Sequence, residues 1–341
     1  MATSENAGNF DCADLQVINV AIDRAWADNQ INKDYTSYAQ SLTAIMTEQT
    51  ASMPDLENVE KDEKVKVYWS ADCSDTLADC DDDCTVGGPT PEAQCKEYQL
   101  DICKKAGFSI PEKRFRKSNL TREEVVARAM LKRMKELDEF LARTVIAKLD
   151  AFAGVNQYPG IGTVVGGLTY VNPALWTADV MGYLAQVGIM NKLANPFVLN
   201  GTNLWQANWQ AQFNNLNQNQ RDEMAKFGAL RTYWDPFNVD TVNAGNKVSY
   251  LVDKGAVAFV NKAYYPLNSP IEYLGAGQTR YSIASRNIPG VFYDVVYTNR
   301  CVANEIYHDF TLYVNAGIFQ NPLGCNPDVT GVLKFQCGVP A

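Results

Sequence analysis

The chain has 341 residues, a formal net charge of −9, 46% hydrophobic residues and 20% charged residues. A chain of this length buries roughly 75% of the surface that its unfolded form exposes, so we expect one large core or two linked ones. The acidic balance disfavours specific DNA recognition, because contacts from Lys and Arg to phosphate groups supply most of that affinity. No segment approaches the roughly 20 apolar residues that span a bilayer, which predicts a soluble protein without membrane partners.

The N-terminal part predicts an arm with two short helices. Its first residues, MATSENAGNF, contain neither a basic nor an apolar stretch of the kind found in signal peptides, which favours a cytoplasmic start. Apolar side chains recur at helical spacing over residues 14–27 and, more weakly, over residues 34–49. Pro54 and the charged stretch 57–64 then separate this arm from the rest of the chain.

A long hairpin-like excursion is predicted next. Residues 64–70 (KVKVYWS) alternate as a strand does, residues 87–93 are typical of a turn, and residues 95–103 (CKEYQLDIC) predict a returning strand. The sequence between the two strands includes ADCSDTLADCDDDC, residues 71–84. The tip of the excursion is therefore expected to be acidic and rich in cysteine.

Five of the nine cysteines fall within 31 residues of this region: Cys73, Cys80, Cys84, Cys95 and Cys103. Their spacings of six, three, ten and seven intervening residues do not match the C-x2-C or C-x4-C half-sites of structural zinc, and the aspartates lack the alternation of a calcium-binding loop. One or two disulfides, within the loop or to a neighbouring chain, are favoured because an excursion without its own core needs a covalent tie. Zinc, calcium and an unbonded acidic loop stay open as alternatives, but we predict no metal ion and no cofactor.

Residues 121–154 carry the strongest single pattern in the chain. Thr121 and Glu124 have the spacing of a capping box, and Gly154 is placed to end a helix. Apolar residues recur between them at Val126, Met130, Leu137, Leu141, Val145, Leu149 and Phe152. The pattern predicts a helix of about 50 Å that serves as a beam for other elements.

Beyond this helix the sequence predicts mixed helices and strands. Helical patterns cover residues 173–190 and 205–227. Strand-like runs cover residues 197–199, 230–234, 247–252, 256–260, 291–297, 310–314 and 332–335. The glycine-rich run 154–167 lacks the G-x-G-x-x-G spacing of a nucleotide-binding loop and follows a helix, so it predicts a turn that leads into a strand.

No catalytic constellation is found, and we predict that the chain is not an enzyme. His308 is the single histidine, but no G-x-S-x-G motif accompanies it, and a structural role for it is favoured. A basic patch precedes the long helix, and it is interpreted either as a solvated linker or as a contact for an acidic partner or neighbouring subunit. The patch consists of Lys113, Arg114, Arg116 and Lys117.

The order of these elements resembles the major capsid proteins of tailed bacteriophages, which have the Hong Kong 97 fold. The segments NKLANPFVLNGTNL and KVSYLVDKGAVAFV also resemble parts of their axial domain. The resemblance implies an α+β fold built from an N-terminal arm, an extended β loop, a long spine helix, a peripheral domain and an axial domain. In this chain the implied divisions are 1–55 for the arm, 56–118 for the extended loop with its cysteine-rich tip, 119–172 for the spine helix and the start of the peripheral domain, 173–280 for the axial domain, and 281–341 for the completion of the peripheral domain and the C-terminal strands.

The resemblance also implies a function. Such a protein assembles with copies of itself, as hexamers and pentamers, into an icosahedral shell that encloses double-stranded phage DNA without sequence specificity. It would be assembled in the host bacterial cytoplasm, lie in the virion, and meet a portal and possible scaffold or decoration proteins. Encapsulin-like compartments share the fold and are one alternative; a cysteine-rich metal-binding or redox protein, with residues 60–105 as its working part, is another.

The cysteines depart from the usual pattern of that family. If the chain is a shell protein, we expect its five clustered cysteines to remain reduced during assembly in the cytoplasm and to form disulfides after release into an oxidising medium. Nothing in the sequence identifies a residue pair for other covalent cross-links.

Overall fold

The computed structural model describes residues 10–28, 34–49, 64–71, 92–176, 180–205, 230–273, 277–321 and 330–340. Its helices are α1 (Cys12–Asp28), α2 (Gln40–Glu48), α3 (Glu112–Arg116), α4 (Arg122–Phe152), α5 (Val180–Met190) and α6 (Pro236–Val242), with a 3-10 turn at Pro173–Leu175. Its strands are β1 (Val65–Ala71), β2 (Glu92–Tyr98), β3 (Ile102–Pro111), β4 (Thr163–Val165), β5 (Leu168–Val171), β6 (Pro196–Asn200), β7 (Arg231–Trp234), β8 (Val248–Asp253), β9 (Val257–Asn261), β10 (Ile271–Tyr273), β11 (Gln278–Ala284), β12 (Phe292–Val302), β13 (Glu305–Gln320) and β14 (Val332–Cys337). No helix among these residues is long and apolar enough to cross a membrane.

The chain forms two compact units, each assembled from three separate stretches. Unit 1 consists of Met1–Ala39, Leu100–Ala142 and Val260–Gly317; unit 2 consists of Gln40–Gln99, Arg143–Phe259 and Ile318–Ala341. The sequence predicts contiguous divisions that keep 281–341 together, whereas β14 lies in a sheet of unit 2 and β12 in a sheet of unit 1. The reason is long-range strand pairing, since β14 is held between β5 and β8. How axial and peripheral domains divide the chain stays a prediction.

Unit 1 contains a sheet whose strands follow the order β10-β11-β12-β13-β3, with antiparallel pairing between these neighbours. The sequence HDFTLYV explains why β13 can lie inside it. His308, Phe310, Leu312 and Val314 alternate along the strand, and all four are fully buried. Period-two alternation places them on one face, and this face carries the single histidine into the interior.

The long helix α4 confirms the strongest sequence pattern. The backbone N–H of Thr121 donates to Glu124 Oε2 (3.0 Å), and the N–H of Glu124 donates to Thr121 Oγ1 (3.3 Å), which is the expected capping box. The helix ends at Phe152, and the N–H of Gly154 donates to the carbonyl of Val332 (2.9 Å). Six of the seven predicted apolar positions are buried; Phe152 is half-buried.

Unit 2 contains a second sheet, in the order β4-β5-β14-β8-β6-β7, and α5 packs on it. The apolar core between them includes Val187, Val198, Leu251, Leu333 and Phe335. Strand β4 is the terminal strand at one side of this sheet among the described residues. The Gly-rich run 154–167 is a turn that leads into β4, as predicted.

Two predicted elements differ in extent. The second helix begins at Gln40 and not near Asp34; in its first turn Asp235 Oδ2 accepts both the N–H (2.9 Å) and the hydroxyl (2.7 Å) of Ser41. The predicted strand 95–103 is divided between β2 and β3, which pair with different partners. Most of the predicted helix 205–227 lies outside the described residues.

Candidate functional site

The predicted excursion is a β-hairpin formed by β1 and β2. The two strands are antiparallel, with Val65 opposite Tyr98 and Ala71 opposite Glu92, and they pair with no other described strand. Cys73, Cys80 and Cys84 belong to residues 72–91, which connect the strands and lie outside the described residues. In chain order the three cysteines therefore fall between the two strands of the hairpin.

The base of the hairpin is held by Tyr98. This side chain is 4% exposed, its hydroxyl donates to the carbonyl of Gln320 (2.9 Å), and its ring packs edge-on against Phe319. Burial raises the pKa of Tyr98 to about 12, which keeps the hydroxyl a donor. Lys64 and Lys66 pair with Glu97 on the surface, and exposed pairs of this kind add at most about 1 kcal/mol. Tyr98 therefore anchors the base of the hairpin to the strand residues Phe319 and Gln320.

The other two clustered cysteines lie on different strands. Cys95 is in β2, opposite Tyr68 in the strand ladder. Cys103 is in β3, opposite Asn315, and its thiol is exposed and unpaired. Formation of disulfides by the five cysteines stays a prediction. No group of three or more His, Cys, Asp or Glu side chains placed to hold a metal ion occurs among the described residues.

The predicted basic patch lies on the short helix α3 and the turn after it. Lys113 Nζ donates to Glu305 Oε2 (2.5 Å), and this hydrogen bond raises the pKa of Lys113. Arg114 and Lys117 are exposed. One member of the patch is thus paired within the subunit, and contact of the exposed members with an acidic partner or a neighbouring subunit stays a prediction.

His308 lies in a buried cluster that the sequence did not predict. Tyr297 Oη accepts the backbone N–H of Phe10 (3.2 Å) and donates to His308 Nδ1 (2.9 Å), while His308 Nε2 donates to Glu112 Oε2 (2.7 Å). These hydrogen-bond directions are those of a neutral ring with its proton on Nε2, the tautomer that the adjacent Glu112 carboxylate favours. Burial lowers the pKa of His308, although the hydrogen bond to Glu112 opposes that effect. The ring is 0% exposed, and the structural role that the sequence favours for it stays a prediction.

Phe10 is the residue that the His308 cluster holds. Its ring packs against His308 at 5.1 Å and against Tyr297 and Phe310 at 5.7 Å, and the Arg122 guanidinium lies 3.8 Å from the ring centre. Arg122 is also 3.6 Å from the carboxylate of Glu112. The cluster therefore joins the arm to β12, β13, α3 and α4 within unit 1.

Replacing Phe10 with alanine should lower the free energy of unfolding of the subunit by about 3 kcal/mol, because a buried ring and its aromatic contacts are removed. Urea unfolding measures this change. Val20→Ala is the matched control on the same arm, since Val20 is 52% exposed and should change stability by less than about 0.5 kcal/mol. Equal effects of the two substitutions would contradict a buried anchor at Phe10.

A second buried site lies at Asp138 on α4. Its carboxylate is 0% exposed and accepts hydrogen bonds from Tyr293 Oη, from Ser285 Oγ (3.1 Å to each oxygen) and from Asn287 Nδ2 (2.9 Å). Burial raises the pKa of Asp138 to about 6, and the hydrogen bonds from Tyr293, Asn287 and Ser285 oppose this only in part. An acidic residue on the apolar face between Met134 and Ala142 was the signal that could have identified this site.

Similarity to known proteins was found among solved structures. A chain of the cyanophage A-1(L) capsid asymmetric unit is similar over 84% of this chain and 93% of that chain, with 11% identity and a TM-score of 0.51. A chain of the cyanophage Pam1 capsid asymmetric unit has 9% identity over 81% of this chain and 84% of that chain, with a TM-score of 0.47. A chain of Mycobacterium phage Adephagia has 10% identity over 86% and 91%, with a TM-score of 0.46. No family model and no curated protein matches the sequence.

The similarity to the A-1(L) chain shows the fold. This chain has the α+β Hong Kong 97-like fold of phage capsid proteins, as the order of its elements predicts. The β1–β2 hairpin corresponds to the predicted extended loop, and α4 to the predicted spine helix.

Proposed function

We propose that this chain is a major capsid protein that assembles with copies of itself, as hexamers and pentamers, into an icosahedral shell around phage DNA. The observation that carries the proposal is a capsid fold that extends over 84% of this chain and 93% of the A-1(L) chain. The role is structural and not enzymatic. The shell is assembled in the host cytoplasm, lies in the virion, and meets a portal and, where the phage uses them, scaffold or decoration proteins.

The free-standing hairpin also supports a role in assembly. A two-stranded hairpin alone is at best marginally stable in water, and β1 and β2 pair with no third described strand. Contacts with a neighbouring copy would complete it. In a symmetric shell the same contact recurs many times, so that weak individual contacts give a stable assembly.

Electron microscopy of the protein expressed alone, in parallel with particles from its native source, tests the proposal. Closed shells or rings of five and six subunits are expected, with DNA inside the native particles. Native shells filled with protein and lacking DNA would identify an encapsulin-like compartment. Uniform monomers from the native source would contradict the assembly function, and a metal assay on residues 60–105 would then test the metal-binding alternative.

We also propose that Cys73, Cys80, Cys84, Cys95 and Cys103 fasten the hairpin after release. Pairs of thiols would each lose two protons and two electrons to an oxidant such as dioxygen in the medium. Reduction should lower the melting temperature of released particles by about 5 °C or more, since a disulfide contributes about 2–4 kcal/mol. Scanning calorimetry with and without reductant measures this shift; Cys301→Ser, outside the hairpin, is the control that should retain it. Identical melting temperatures would contradict the proposal.

A further inference from the structure

The segment that follows α4 has no charged side chain over 28 residues, from Ala151 to Ala178. At the chain average of 20% charged residues, a stretch of this length would contain between five and six. The described part of the segment includes the turn 154–162, the β4–β5 hairpin and the 3-10 turn. All of it belongs to unit 2.

This uncharged segment contributes Val171 to the core of unit 2, but it also presents apolar side chains to the surface. The exposed ones are Val155, Tyr158, Ile161, Val165 and Leu175, with exposed fractions between 41% and 52%. We call these five residues the apolar patch. Single exposed apolar residues are ordinary, but five within 21 residues of an uncharged segment are typical of an interaction surface.

Hydrogen bonds of buried side chains hold the turn 154–162, which carries three residues of the patch, Val155, Tyr158 and Ile161. Asn156 is 3% exposed; its Oδ1 accepts the N–H of Tyr158 (3.1 Å) and Nδ2 of Asn191 (2.9 Å), and its Nδ2 donates to Thr169 Oγ1 (3.2 Å). The N–H of Gln157 donates to Asn191 Oδ1 (3.0 Å). The three patch side chains on this turn are thus presented by a fixed framework, which lowers the entropy lost when a partner binds.

Two glycines allow the turn 154–162 to pack closely against Thr169 and Tyr183. A Cβ at Gly162 would lie 2.6 Å from the Thr169 side chain and 2.7 Å from the Tyr183 hydroxyl, so no larger residue fits there. Gly160 has a φ of +56°, in the region that favours glycine. The Tyr183 hydroxyl, in turn, donates to the carbonyl of Pro159. The glycine-rich run therefore has a packing role: it lets the turn lie directly on α5 and β5 while Ile161 points outward.

We propose that the apolar patch is a contact between copies of this chain, and this inference rests on the proposed assembly function. The choice of a second copy follows from charge. Copies with a net charge of −9 repel one another, and an uncharged surface is where they can meet without burying a charge. A DNA partner would require basic side chains, which the segment lacks. Among the described strands β4 is the terminal one of its sheet, which also leaves strand backbone at the patch for a neighbouring copy to meet.

Ile161→Lys tests the contact. The added positive charge reduces the net repulsion between copies, so it should favour association unless position 161 is buried in the interface. We expect the concentration at which shells or rings appear to rise by about tenfold or more. Val302→Lys is the matched control: Val302 is 45% exposed on the β12–β13 hairpin of unit 1, and the variant should assemble as the wild type does. Equal assembly of Ile161→Lys and wild type, or equal loss in both variants, would overturn the assignment.

A measurement on the unmodified protein removes any dependence on the folding of the variants. Hydroxyl-radical labelling of Tyr158 should fall several-fold between dissociated subunits and assembled shells. Equal labelling in the two states would overturn the contact between copies. It would do so even if a different protein covers the patch in native particles. Failure of the wild type to assemble at all would instead contradict the proposed function, so the two failures are distinguishable.

Discussion

Replacing Asp138 with alanine is expected to destabilise the folded subunit by about 3–5 kcal/mol, because several buried donors lose their acceptor together. Tyr293 and Ser285 are buried, and the pKa of Tyr293 is raised by burial and by the nearby Asp138, which keeps its hydroxyl protonated. Asn287 would lose one of its partners as well. Urea unfolding of dissociated subunits measures the change.

The effect should extend to the arm. Asn287 Oδ1 accepts the N–H of Ser37 (2.9 Å), and its Nδ2 donates to the carbonyl of Tyr35 (3.1 Å) as well as to Asp138. Loss of the carboxylate therefore loosens the side chain that holds residues 35–37. The matched control on the same helix is Glu136→Ala, which removes an exposed pair with Arg133 and should cost less than about 1 kcal/mol. Similar losses for the two variants would contradict a central role for Asp138.

Asp138 should also make stability depend on pH. Its pKa of about 6 in the folded protein lies above the ordinary 3.8, so the folded state binds this proton more tightly than the unfolded state. The resulting stability is fully present below about pH 4 and is lost as the pH rises through about 6, a change of about 3 kcal/mol. Asp138→Asn cannot titrate, so the stability difference between wild type and this variant should change by most of that amount between pH 4 and 7. Parallel stability profiles would contradict the raised pKa.

The elements predicted best are those whose signals are local. The capping box of Thr121 and Glu124 and the apolar spacing after it define α4 from sequence alone, because a helix is stabilised by residues three and four positions apart. The alternation around Phe310 likewise identifies β13. Of the predicted turn 87–93, residues 87–91 lie outside the described residues, and Glu92 and Ala93 belong to strand β2.

The buried polar sites were not predicted, because their partners are distant in sequence. His308 meets Glu112 across 196 positions, and Asp138 meets Tyr293 across 155. Strand β3 pairs with β13 and brings Pro111 opposite Tyr307. This pairing brings Glu112 to His308, and no local sequence pattern encodes it. The composition of the two units from separated stretches has the same cause.

Removal of the hairpin should abolish assembly while the subunit still folds. Val65 and Tyr98 are opposite residues of an antiparallel pair, so their Cα atoms are about 5 Å apart and a two-residue Asn-Gly turn can join them directly. The deletion retains Tyr98 and its contacts with Phe319 and Gln320. It breaks no other sheet, because β1 and β2 pair only with each other among the described strands.

Two measurements separate folding from assembly in this variant. The urea midpoint and the circular dichroism per residue should stay close to those of wild-type subunits, and sedimentation should show subunits where the wild type gives shells. The matched control shortens only residues 72–91 and keeps β1 and β2. It should assemble but respond less to reductant, since three of the five clustered cysteines, Cys73, Cys80 and Cys84, are removed. Closed shells from the chain without the hairpin would mean that the remaining surfaces, the apolar patch among them, suffice for assembly, and that the hairpin acts after the shell has formed.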